Sequence, residues 1–207
     1  ESENTAMGTV APAKETVNDV KGTAIGSTAT PKAGYELVGW YDKADTSKKI
    51  ISTKAKLVPE KDSAKKKYLP KTYVDKFKEK ADITIKYESE DANKGTVAPA
   101  KESLQPATCS AKGSTPTAKP GYEFEGWYDK ATNKKVDSSW VGAGNKLTPQ
   151  KSGGVYEAKT YVAKFKEKAA VTIMYKAGEG GKVSNASDTV NPEIGNPKSS
   201  AATADKG

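Results

Sequence analysis

A chain of 207 residues with an apolar share of 35% and a net charge of +8 has room for one large domain or two small ones and enough Tyr, Val and Ile to exclude a wholly disordered polymer. No apolar run approaches the roughly 18 residues of a membrane helix, and "ESENTAMGTV" lacks the basic start and apolar stretch of a signal peptide, so the first residue reads as a cut inside a longer protein. All 34 basic residues are Lys, with no Arg and no His, which predicts a solvated surface with at most loose attraction to a polyanion, no specific nucleic-acid readout, and no imidazole for acid–base chemistry.

In chain order, the first feature is "GTVAPAKE" from Gly8. It recurs from Gly95, 87 residues on. "GYELVGWYDKA" from Gly34 recurs as "GYEFEGWYDKA" from Gly121, again 87 residues on. "TYVDKFKEKADITIKY" from Thr72 recurs from Thr160 as "TYVAKFKEKAAVTIMY". That last offset is 88 residues, and three blocks in one order at nearly one spacing define a tandem array. Glu1 aligns with Glu88, so the first copy lacks an opening strand unless residues 82–87 supply it. A third copy begins at Val171 and stops where Gly207 aligns with Gly34 and Gly121. The boundaries are set at 1–81, 82–169 and 170–207.

Within a copy, the Gly-aromatic motif reads as a strand. Strict alternation places Tyr122, Phe124, Gly126 and Tyr128 on the core face and Glu123, Glu125 and Trp127 on the other. Trp40 and Trp127 are therefore expected outward, as a partner-binding feature or packed under a loop. Glycine in a strand interior, at 39 and 126, predicts a close approach by a Trp ring or another backbone. "KDSAKKKYLP" is a variable loop whose Lys65, Lys66 and Lys67 would meet a polyanion or stay solvated. Tyr161, Ala163 and Phe165 form the inward face of a further strand. Ile83, Ile85 and Tyr87 alternate with polar residues as a half-buried strand.

Four isolated signals remain. Asp91, Asn93 and Gly95 with Glu102 resemble a calcium loop only faintly, because Gly95 and Thr96 stand where a ligand and the turn glycine belong; a turn is the reading. Trp140, in a loop particular to the second copy, is a sugar platform, an interface anchor or a lid. Cys109, the single cysteine, excludes an internal disulfide and has no His to activate it. Asn185-Ala-Ser187 is a glycosylation sequon.

Gly-Tyr-x-Phe-x-Gly-Trp-Tyr at 121–128, with Tyr161, Ala163 and Phe165 further on, resembles the Listeria–Bacteroides repeat, the internalin-type B repeat of bacterial surface proteins. In the first copy Leu37 replaces the Phe and Asp75 the Ala. The turn at Glu90–Gly95 departs from the usual Asn-Gly-Gly. The resemblance implies a small β-grasp-like unit strung in arrays on secreted or wall-anchored proteins, with no shared catalytic residues. The expected fold is mainly β, α+β at most, as tandem small domains in an elongated arrangement. The expected function is a non-catalytic stalk, spacer or adhesin segment outside the cell. It would be monomeric, need no cofactor or metal, and meet a host protein, a glycan or a cell-wall polyanion. The alternative is a carbohydrate-binding module array attached to a secreted enzyme.

Overall fold

The computed structural model describes residues 1–206; Gly207, aligned above with Gly34 and Gly121, lies outside them. The chain is mainly β, with fifteen strands and no α-helix among the described residues. It divides into two units. The first holds Glu1–Ile83 with Ser103–Ser110 and Lys151–Glu157; the second holds Thr84–Glu102, Ala111–Gln150 and Ala158–Gly207.

In the first unit, β1 (Gly8–Ala11) pairs antiparallel with β2 (Ser27–Pro31), which pairs with the short β4 (Lys56–Leu57). The Gly-aromatic motif forms β3 (Tyr35–Asp42), antiparallel to β5 (Tyr73–Glu79). The core is Ala29, Trp40 and Phe77, with Met7, Val10, Leu37, Leu57 and Tyr73 packed against it. Gly8 is small for a reason the repeat alone did not reveal. A Cβ there would stand 2.3 Å from the Phe77 ring, so the first strand can cross the ring only without a side chain.

In the sheet built mainly from the second unit, β6 (Ile83–Ser89, whose first residue belongs to the first unit) lies between β8 (Lys101–Leu104, whose last two residues belong to the first unit) and β11 (Thr160–Glu167). With β10 (Tyr122–Asp129) the sheet order is β10-β11-β6-β8. β10 is antiparallel to β11, and β11 is parallel to β6. β7 (Gly95–Ala98) pairs with β9 (Thr115–Ala118). A Cβ on Gly95 would stand 2.4 Å from the Phe165 ring, as one on Gly8 would crowd Phe77. Ile85 and Tyr87 are buried as alternation predicted, and so are Tyr161, Ala163 and Phe165. The aromatics pack edge to face: Tyr87 on Trp127 at 5.9 Å, Phe124 on Trp127 at 6.0 Å, Phe124 on Phe165 at 5.9 Å. That geometry suits rings with a negative face and a positive rim.

The third stretch carries β12 (Val171–Met174) against β14 (Ser187–Val190), and β13 (Gly181–Val183) against β15 (Ala202–Ala204). Its strands are largely exposed. The lysine loop is a series of turns, and the loop particular to the second copy forms two single-turn 3-10 segments, Ser138–Trp140 and Ala143–Asn145.

One expectation is overturned. Trp40 and Trp127 do not face outward; each is 1% exposed. The reason is a bulge. The register runs Leu37 opposite Phe77, then Gly39 opposite Lys76, which leaves Val38 as an extra residue; Glu125 is the extra residue between Phe124 and Gly126. One inserted residue reverses the alternation beyond it, so Trp40 joins Leu37, and Trp127 joins Phe124, on the core face. Gly39 permits the bulge. It sits at φ 150°, and a Cβ would lie 2.5 Å from the Ser52 carbonyl, the close approach the glycine predicted.

Candidate functional site

Four glutamates accept backbone N–H groups from residues ten or more positions away. Glu15, four residues beyond β1, accepts from Ile25 (2.9 Å) and Gly26 (3.2 Å). Glu102, 87 residues on, accepts from Lys112 (2.8 Å) and Gly113 (3.1 Å), and from the Tyr87 hydroxyl at 2.5 Å. Glu102 is thus a brace within its own copy. The faint calcium loop before it is a turn: the Asp91 carboxylate accepts from Asn93, and its carbonyl accepts from Lys94 and Gly95. Among the described residues no group of three or more His, Cys, Asp or Glu is placed to hold a metal.

The second pair grips the following copy's sequence. Glu79, last residue of β5, accepts from the backbone of Ala107 (2.6 Å) and Thr108 (2.9 Å) and from the Thr108 hydroxyl (2.8 Å), all within the first unit. Burial pushes the Glu79 carboxyl up, but the Thr108 and Ala107 hydrogen bonds with the Lys151 ammonium outweigh it and hold the group below its ordinary value. Glu167, last residue of β11, accepts from Glu193 (3.1 Å), Ile194 (3.2 Å) and the Asn191 amide (3.4 Å), all within the second unit. Pro106-Ala107-Thr108 and Pro192-Glu193-Ile194 occupy one place in their copies. The same clasp therefore occurs twice.

The residues singled out from sequence are not brought together. Trp40 and Trp127 are core, their indole N–H groups donating to the carbonyls of Lys54 (3.0 Å) and Asn145 (2.9 Å), so neither presents a surface platform. Trp140 is half-buried at the end of a 3-10 turn capped by the Asp137 carboxylate, and its carbonyl accepts from Thr148. Lys65 and Lys66 are exposed, while Lys67 pairs with Asp19 at 3.3 Å. Cys109 is a free, half-buried thiol. The sequence reading missed Glu15, Glu79 and Glu167; the signal available was their presence in the repeated "APAKE" and "KFKEK" blocks.

A chain of short strands in which one motif builds two like aromatic cores, each copy fastened by a carboxylate clasp, is a tandem repeat protein. Residues 1–64 match the family model described as divergent InlB B-repeat domain, and residues 83–148 match the Listeria-Bacteroides repeat domain. The two stretches thus match two related repeat-domain families that are typical of bacterial surface proteins, and the domains detected are non-catalytic. No curated protein and no solved structure matches the chain.

Proposed function

We propose that the chain is a stalk or spacer segment of a bacterial cell-surface protein, extracellular and monomeric, that extends whatever lies at its ends and offers an adhesin surface to a host protein, glycan or wall polyanion. The copies are read as 1–81, 82–169 and 170–207. The observation that carries the proposal is the recurring clasp. Glu79 and Glu167 each fasten a strand end to the sequence of the next copy, which is what an array needs to transmit position and load along its length. The β10-β11-β6-β8 order, with a parallel central pair flanked by outer partners, supports a β-grasp-like sheet in the second copy.

Of the run Lys65, Lys66 and Lys67 offered to a polyanion, Lys65 and Lys66 are exposed point charges and Lys67 is paired with Asp19. Such contact fades as salt shortens the Debye length to about 8 Å at physiological strength. The carbohydrate-module alternative needs an exposed aromatic. Burial of Trp40 and Trp127 leaves it Trp140 alone of the three tryptophans. A glycan array probed with the native chain and with Trp140→Ala separates the two. The spacer reading expects no retention that depends on Trp140. Retention of a sugar by the native chain, lost in Trp140→Ala, would make the carbohydrate reading the correct one.

A further inference from the structure

The first unit carries a groove of about 1060 Å³, bordered among others by Pro12, Glu15, Val17, Trp40, Leu57 and Tyr73. Its walls have counterparts in the second copy. Trp40 corresponds to Trp127, Tyr73 to Tyr161 and Glu15 to Glu102. In the second copy those three residues surround one side chain, Tyr87. Its ring meets Trp127 edge to face at 5.9 Å and stacks on Tyr161 at 6.1 Å, and its hydroxyl donates to Glu102. Tyr87 arrives on β6, whose Ile85 is also 1% exposed.

The edge of β5 is already partly taken, and in the same register. In the second copy β6 runs parallel to β11 with Tyr87 opposite Tyr161, Glu88 opposite Val162 and Ser89 opposite Ala163; the Glu90 N–H donates to the Ala163 carbonyl. In the first unit Ser2 bridges parallel to Asp75, Glu3 donates to the Asp75 carbonyl, and Asp75 donates to the Glu1 carbonyl. The Glu1 amine donates to the Tyr73 carbonyl at 2.9 Å. Glu1–Glu3 thus lie where Glu88–Glu90 lie. The position before Glu1 falls opposite Tyr73, at the mouth of the groove. Burial differs accordingly: Tyr161 is 3% exposed and Tyr73 is half-buried.

We propose that this groove is an acceptor site for one β-strand of pattern apolar-x-apolar-x-Tyr, running parallel to β5 and continuing into Glu1. The strand would add main-chain hydrogen bonds along β5. Its Tyr would take the place between Trp40 and Tyr73 with its hydroxyl on Glu15, and its apolar residues would fill the rest of the groove. The inference uses only how the two copies fold, so its failure leaves the surface-protein reading standing.

The test is the full chain carrying Ile-Thr-Ile-Lys-Tyr, the sequence of residues 83–87, joined ahead of Glu1. A control chain carries Lys-Thr-Lys-Lys-Ser there. Thermal unfolding is followed by NMR at the Trp40 indole. The strand-bearing chain is expected to melt at least about 4 °C above the control, with nuclear Overhauser contacts from the added Tyr ring to Trp40 and Tyr73. Replacing the added Tyr by Phe should remove part of that gain, because the bond to Glu15 is lost. Equal melting of the strand-bearing and control chains would overturn the proposal. So would a rise in melting temperature without those ring contacts, since a sticky tail would then be the cause.

Discussion

Asp75 is the residue at which the two copies differ most instructively. It stands where the second copy has Ala163, and both are 0% exposed. Its Oδ1 accepts from the Glu3 N–H at 3.1 Å, while its Oδ2 is buried without a partner. Burial, opposed by hydrogen bonds from Ser2 and Glu3 and by the chain's amino terminus, pushes the carboxyl above its ordinary 3.8. A carboxyl raised in the folded state binds its proton more tightly there than in the unfolded chain. Its contribution is therefore favourable below the ordinary value and is lost as pH rises through the raised one. Asp75→Ala should thus stabilise the first unit at neutral pH by about 1 kcal/mol. Glu3 keeps its bond to the Asp75 backbone carbonyl, as Glu90 keeps its bond to Ala163. Thermal melts of the two proteins should differ at about pH 7 and converge near pH 3. A variant less stable than the native chain at neutral pH would show that the carboxylate has found a partner that offsets its burial. The departure of Asp75 from the repeat was legible in the sequence; the strain it imposes was not, because a buried orphan oxygen exists only once Glu1–Glu3 cover the strand.

At the scale of elements, the strands were legible and their faces were only half so. The alternations at Ile83–Tyr87 and at Tyr161–Phe165 gave buried faces that match the structure. The Gly-aromatic strand did not follow its own alternation. Period-two reasoning holds only while the pairing is unbroken, and the bulges beside Gly39 and Gly126 reverse it midway. Glycine inside a strand is a bulge signal as well as a close-approach signal. The close-approach meaning alone leaves Trp40 and Trp127 outward; the bulge turns both to the core. The carboxylate clasps were invisible for another reason: they join residues 26 to 29 positions apart across loops, and no local period marks them.

The clasp belongs to this scale too. The Glu79 carboxyl is held below its ordinary 4.5. A lowered acid stabilises fully above the unfolded value and loses that contribution as pH falls through the lowered one. Glu79→Ala should therefore speed hydrogen exchange at the Ala107 and Thr108 amides by about tenfold at neutral pH. In the native chain the same two amides should loosen as the solution is acidified past Glu79's own titration. Unchanged exchange in the variant would mean that the loop is held by the Lys151 contact to the Ala107 carbonyl rather than by the carboxylate.

For the whole molecule, composition and repetition carried most of the reading. Three repeated blocks pointed to a tandem array, and the repeat-domain matches over 1–64 and 83–148 agree. What a sequence of this kind withholds is which aromatics are displayed and which are consumed by the core, because identical motifs serve either end. Here the repeated Gly-Trp-Tyr is a core-building device, and that is the claim that separates the spacer reading from the carbohydrate-module alternative. The most direct measurement is hydrogen exchange of the three indole N–H groups by NMR in the native chain, with and without added glycans. The Trp40 and Trp127 signals, bonded to the Lys54 and Asn145 carbonyls, should exchange at least roughly a thousandfold more slowly than a free indole, and their shifts should stay fixed whatever sugar is present. Free exchange at both, with shifts that move as a sugar is titrated, would contradict the account.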